Sequence, residues 1–158
     1  MNDARHIAQI NVGRMVAPLA DPVMAGFASR LDAINALADA YPGFVWRLRS
    51  EAGDATAIRA FDDPLVLVNM SVWESIDALH AYVYRSDHVA LVRDRKKWFV
   101  PMSGPYYALW WVAPGHRPSV QEGKERLECL AAHGPSEHAF WFVRGPEGRV
   151  ATAARERR

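Results

Sequence analysis

Four small polar side chains are set into two strands that are otherwise apolar. In "HIAQINVG" Gln9 and Asn11 alternate with Ala8, Ile10 and Val12; in "LVLVNMSVW" Asn69 and Ser71 alternate with Val68, Met70 and Val72. Side chains two residues apart on a strand share a face. Gln9 and Asn11 therefore stand on one face of their strand, and Asn69 and Ser71 stand beside Leu67 and Trp73 on one face of theirs. That mixture is too apolar for a bare surface and too polar for an ordinary core. A buried amide without a partner costs about 1–3 kcal/mol, so these groups need water, a neighbouring side chain or a ligand. An apolar surface with a few converging polar groups is the usual description of a small-molecule site. The competing arrangement is a wet interface between two copies, with the amides bonded to one another across a two-fold axis.

A second set of candidates surrounds "YRSDHVALVRDRKKWF". His88 can carry a substrate proton near neutral pH, or it can bond locally to backbone just after a helix cap at Ser86. His80, Tyr84 and His88 recur every four residues and make one polar ridge on a helix, at a pocket edge or at the surface. Arg47 and Arg49 flank Leu48 on a strand; one of them can point inward to hold a carboxylate or enolate, or both can lie on a solvated edge. Arg95 shares the His88 stripe, as an anion clamp or with its stem over Trp98. No metal is expected, because His80 and His88 lie two helical turns apart and no H-E-x-x-H spacing occurs. The single cysteine, Cys129, excludes an intrachain disulfide and reads as a small buried residue.

The elements that must position these residues follow from periodicity. Residues 6–13 alternate as a strand. Asp21 caps a helix that starts at Pro22, carries Val23, Phe27, Leu31, Ile34 and Leu37 on one stripe, and stops at Tyr41-Pro42-Gly43. Residues 44–50 alternate again, with Phe44, Trp46 and Leu48 on one face. A polar connection follows, with a short strand possible at residues 56–61, and residues 65–73 form a central strand. A helix capped near Ser75 restarts at Ser86 and places His88, Leu91, Val92, Arg95, Trp98 and Phe99 along one face until Pro101. Residues 106–115 are a strand, Ser119 and Glu122 open a further helix with a capping-box pattern, and residues 138–143 are a last strand. The order is β-α-β-β-α-β followed by an extra α-β, a ferredoxin-like α+β unit with one antiparallel sheet. The apolar set Ala8, Ile10, Val12, Val66, Val68, Met70 and Val72 is expected beneath the two helices. The Gln9, Asn11, Asn69 and Ser71 set is then expected on the uncovered face, closed by a second subunit.

The chain has 158 residues, half of them hydrophobic, and a formal net charge of +1. That suits one domain over residues 1–145 with a flexible tail at 146–158. So small a charge recruits neither nucleic acid nor an anionic membrane. No apolar run approaches the roughly 20 residues that span a bilayer, no signal peptide is visible, and the expected location is cytoplasmic.

The strings "NMSVWESIDALHAYVYRSDH", "LWWVAPGHRPS" and "GPSEHAF" resemble the DUF3291 family, which is similar to the dimeric α+β barrel superfamily that includes the antibiotic biosynthesis monooxygenases. The resemblance implies a homodimer with one pocket per subunit and a small-molecule ligand. It also implies a role for Asn69 and Trp73, which match the Asn-x-x-x-Trp pair of cofactor-free monooxygenases that oxidise aromatic polyketides. The Asn69 amide would bond a substrate enolate or developing peroxide, the Trp73 indole would supply a wall and an N–H donor, and no cofactor would be needed. Gln9, Asn11, Arg47, Ser71, His80 and Tyr84 would contact the substrate, with His88 as proton carrier. Haem-binding relatives imply an alternative in which His88 ligates haem; a ligand-binding or structural dimer without turnover is the third possibility.

Overall fold

The computed structural model describes residues 5–50, 56, 58–144 and 150–152. The sheet is built on β1 (His6–Met15) and β3 (Val66–Trp73), which pair antiparallel from Ile7 opposite Trp73 to Arg14 opposite Val66. That register sets Gln9 opposite Ser71 and Asn11 opposite Asn69. β2 (Phe44–Arg47) flanks β3, while β5 (Tyr107–Val112) and the two-residue β4 (Phe99–Val100) share the far edge of β1. The strand order β2-β3-β1-β5 is that of a ferredoxin-like α+β unit, as the order of elements predicts.

The helices start where their caps stand. The Asp21 carboxylate accepts the Val23 N–H at 3.0 Å and opens a 3₁₀ turn (Pro22–Met24) that leads into α1 (Ala25–Ala28). The helix breaks at Ser29-Arg30 and resumes as α2 (Leu31–Ala40), so Val23 drops off the expected stripe and lies exposed. Gly43, with φ of +89°, turns the chain into β2. Ser75 accepts the Ala78 N–H at the start of α3 (Ile76–Arg85). Ser86 then does what its type suggests: its hydroxyl donates to the Tyr82 carbonyl and accepts the His88 N–H, dividing α3 from α4 (His88–Asp94). A 3₁₀ turn at Arg95–Lys97 closes the segment, and Phe99 lies in β4 rather than on the helix.

The two faces of the sheet are exchanged relative to the sequence expectation. Ile7, Trp73 and Leu109 pack with Ala38, Leu79 and Tyr82, so the face carrying Gln9, Asn69 and Ser71 lies under α2 and α3. Ala8, Ile10, Met70 and Val72 instead meet Leu127 and Leu130 of α5 (Val120–His133). The reason is a third layer. α5 approaches so closely at Gly123 that a Cβ there would lie 2.7 Å from Ile10 Cδ1 and 3.0 Å from Met70 Cε. Its first turn is held by Ser119, which accepts the Glu122 N–H, and by the Glu122 carboxylate, which accepts the Trp110 indole N–H at 2.8 Å and meets His116 Nε2 at 2.7 Å. Lys124 donates to the Ala60 carbonyl and lies over the Phe61 ring, drawing that segment over the same face. Val12, Val68 and Met70 are 5, 3 and 0 % exposed within one chain. The apolar face is thus covered by α5, while α2 and α3 stand over the polar face expected to be uncovered, on which Asn11 remains exposed.

A β-bulge at Val45 explains a smaller difference. The register slips between Phe44 and Trp46, so Phe44 packs on Trp73 while Trp46 and Leu48 pack on the α5 side. Among the described residues of 56–61 there is no strand. Phe140 and Leu109 exchange two backbone hydrogen bonds of 2.9 Å, which extends the β5 edge. β6 (Phe142–Arg144) pairs with β7 (Val150–Thr152), a strand within the expected tail.

Candidate functional site

Between the polar sheet face and helices α1 to α4 lies a cavity of about 250 Å³. One water needs about 10–15 Å³ of such volume, so the space admits an organic molecule. Gln9, Asn11, Arg47, Asn69, Ser71, Trp73, Tyr84 and His88 all line it; His80 does not. His80 packs instead against Tyr84 and Phe142, with ring centroids 4.7 and 5.3 Å away, just behind the wall.

The polar groups form one directed network. Gln9 Nε2 donates to Asn69 Oδ1 and to Ser71 Oγ, both at 2.8 Å. Asn11 Nδ2 donates to Gln9 Oε1 at 2.9 Å and to Asn69 Oδ1 at 3.2 Å. A carboxamide has two N–H donors, and those of Gln9 and Asn11 are thus spent. Asn69 Oδ1 accepts twice, which fixes its amide plane, while the Asn69 N–H groups make no hydrogen bond among the described residues. The network thus leaves the Asn69 N–H pair oriented and unspent. Trp73 contributes differently from the implied substrate donor: its indole N–H is engaged by Ser71 Oγ at 2.9 Å. The ring is fully buried and stacks on Tyr82 at 4.9 Å with 27° between planes.

His88 stands on the helical wall. Its Nδ1 lies 3.3 Å from the Val83 carbonyl and its ring 4.9 Å from that of Tyr82. A carbonyl can only accept, so Nδ1 carries the proton and Nε2 keeps a lone pair. Burial pushes the His88 pKa below its ordinary 6.5, against a smaller upward pull from the Val83 carbonyl. The imidazole is thus neutral at pH 7. The lowered folded-state value has a consequence for stability. Above pH 6.5 the ring is neutral in both states; as pH falls, the unfolded chain takes up the proton first and the fold loses stability down through the folded-state pKa. Urea unfolding between pH 7.5 and 5 is expected to show a steeper fall for the native protein than for His88→Gln, by at most about 1.4 kcal/mol per pH unit. Equal slopes would place the proton uptake elsewhere.

Arg47 is 7 % exposed and is held by Asp39, Nε to Oδ1 at 2.7 Å and Nη2 to Oδ2 at 3.2 Å. Its charge is compensated from α2. Arg95 lines the cavity with its guanidinium carbon 3.9 Å from the centroid of Tyr106; Trp98 is covered by Arg30 rather than by Arg95.

Two further lining residues escaped the sequence reading. Tyr107 pairs with Asn11 across β5 and β1, and its hydroxyl accepts the Phe142 N–H at 3.3 Å. Burial pushes its pKa up to about 12, so it remains a phenol with a proton to donate. Only the pairing of β5 to β1 puts it on the Asn11 face. Asn35 does carry a sequence signal: with Leu31, Ile34 and Ala38 it completes an i, i+3, i+4, i+7 stripe that is otherwise apolar.

The family described as Domain of unknown function (DUF3291) matches residues 6–154. The chain belongs to this family. No curated protein matches the DUF3291 chain. Solved structures similar to it include the NE2512 protein of unknown function from Nitrosomonas europaea, with 14 % identity over 75 % of this chain and 99 % of that one and a TM-score of 0.48. SnoaB, a cofactor-independent oxygenase from Streptomyces nogalater, has 20 % identity over 73 % of this chain and all of its own, with a TM-score of 0.47. A monooxygenase from the gene ActVA-Orf6 of Streptomyces coelicolor, in complex with the ligand Nanaomycin D, has 17 % identity over 73 and 94 % of the two chains and a TM-score of 0.42. These are likenesses of fold. Among the described residues no helix of this DUF3291 domain is long and apolar enough to cross a membrane.

Proposed function

We propose that the protein is a cofactor-independent monooxygenase-like enzyme acting on an electron-rich aromatic, polyketide-like compound. The observation that carries this reading is the Asn69 amide, oriented by Gln9 and Asn11 so that its N–H pair is left unspent in an aromatic-walled cavity. Preorganised donors of this kind stabilise charge that develops on an oxygen. His88 Nε2 takes the proton of a substrate phenol or activated methylene, and the enolate that forms is held by the Asn69 N–H groups. The enolate passes one electron to O₂, the resulting radical and superoxide combine in a C–O bond, and the peroxide takes up a proton. Loss of water leaves a carbonyl. One oxygen atom stays on the product and one leaves as water; the substrate supplies the electrons.

The residues named in these steps all come from one chain, and the exposed lining residues Asn11, Tyr84 and Tyr106 mark the side on which the expected homodimer would close the cavity. Oxygen uptake with a panel of dihydroxynaphthalenes and anthrones tests the proposal: consumption above buffer, with incorporation of one ¹⁸O atom from ¹⁸O₂, is the expected result. Binding of the same compounds without oxygen consumption would favour a non-catalytic ligand-binding protein. A Soret band on haemin titration, lost in His88→Ala, would favour haem at His88.

A further inference from the structure

Among the described residues, the cavity lining has arginines but no aspartate or glutamate. Arg47 is neutralised by Asp39. Arg95 is not: among the described residues no carboxylate stands within ion-pair distance of it. Its neighbour in sequence, Asp94, is occupied by Arg30 at 3.2 Å, Arg93 at 3.5 Å and Lys97 at 3.6 Å. Arg95 instead rests on the face of Tyr106, 3.9 Å from the ring centroid, close enough to Tyr84 that its charge acts on that phenol. Stacking on a ring fixes the guanidinium plane and leaves its N–H edge free. A cation in a half-buried apolar wall is costly unless an anion meets it.

We infer that Arg95 binds a carboxylate of the substrate, which makes the substrate an acidic aromatic compound. This rests on the reading of the cavity as the substrate site. The planar fork of one guanidinium matches a carboxylate. A phosphate dianion is met more often by a helix N-terminus or by several cations, and the one other arginine among the described lining residues is already paired. Arg95 follows His88 by seven residues on the same wall, roughly 10 Å along a helical rise of 1.5 Å per residue. A molecule with its carboxylate at Arg95 and its reacting carbon between His88 and Asn69 has a fused-ring body rather than a single ring. The two arginine contacts differ in role: Arg47 braces β2 against α2, and Arg95 selects the ligand.

The test is a binding comparison with 6-hydroxy-2-naphthoic acid and its carboxamide, read by quenching of tryptophan fluorescence. The acid is expected to bind at least about tenfold more tightly than the amide, as a charge-assisted hydrogen bond gives. In Arg95→Gln that ratio is expected to fall to about one. Arg93→Gln removes the same charge from an exposed neighbour and is expected to keep the ratio. Equal binding of acid and amide, no binding of the acid at millimolar concentration, or a preference that survives in Arg95→Gln would overturn the inference. The readout needs no turnover, so a failure to consume oxygen and a failure of the carboxylate site are separate results.

Discussion

Replacing Asn69 with alanine is expected to lower kcat for oxygen uptake by about 10²–10³-fold, the usual cost of removing one preorganised oxyanion donor. The argument lies in the direction of the network. Gln9 and Asn11 both point their N–H groups at Asn69 Oδ1, so Asn69 cannot turn its oxygen to the cavity without orphaning two donors. Alanine removes the donor pair and also leaves the buried Gln9 N–H without its Asn69 acceptor, with a stability loss of about 1–3 kcal/mol, while the exposed Asn11 N–H can turn to water. Asn69→Asp separates the two effects. The carboxylate still accepts from Gln9 and Asn11, so stability in urea is expected to hold, but it offers no N–H and repels an enolate. Oxygen uptake in Asn69→Asp is therefore expected to be as low as in the alanine variant. An aspartate variant that works at the native rate would remove Asn69 from the chemistry and leave it a structural residue.

Trp73→Ala is expected to cost about 3–5 kcal/mol of folding stability, measured as the shift in urea unfolding free energy. The ring has no exposed surface and is the meeting point of three aromatic neighbours: Tyr82 stacked on it, with Phe44 and Tyr41 edge-on at 5.4 and 6.3 Å. Its loss opens a void beneath both α2 and α3, beside a Tyr82 that is held in place by its hydrogen bond to the Ile34 carbonyl at 3.2 Å. Trp73→Phe keeps most of the volume and removes the N–H that holds Ser71, with an expected cost of about 1 kcal/mol. If the phenylalanine variant were as unstable as alanine, the hydrogen bond to Ser71 rather than the packed ring would be the principal contribution. Activity adds a second readout: a residue that only supports the wall lowers rate in proportion to the altered position of Ser71 and Gln9, and Trp73→Phe is expected to keep a measurable rate where Asn69→Ala does not.

The residues of the site were legible because polar groups are rare in the strands. Asn69 and Ser71 interrupt "LVLVNMSVW" with period two, and Gln9 and Asn11 do the same in β1; no packing arrangement of those strands avoids the question of their partners. Ser86 announced the break between α3 and α4, since a hydroxyl there can serve both helix ends. Tyr107 was not legible, because either face of "YYALWWV" is aromatic and the choice depends on pairing with β1. Nor was the exclusion of His80. His80 shares α3 with Tyr84, but Phe142 of β6, brought there only by the tertiary fold, packs on the His80 ring and lines the cavity in its place.

Local pattern alone determined β1, β2, β3 and β5, the caps at Asp21, Ser75 and Ser119, and which side chains share a strand face, because these depend on backbone period and on hydrogen bonds between near neighbours; β4, β7 and the start of β6 at Phe142 rather than His138 came only with tertiary pairing. It could not determine which face the helices cover. A strand that is apolar on one face and half-polar on the other reads as core beneath and interface above, yet here helices stand over both faces, with Asn11 left exposed at the cavity. α5 packs on the apolar face closely enough to need a glycine at residue 123, and α2 to α4 stand off the half-polar face and leave the cavity. Only long-range packing decides between those arrangements, since burial is indifferent to which helix supplies it and the Gln9 and Asn11 donors find their acceptors within the chain.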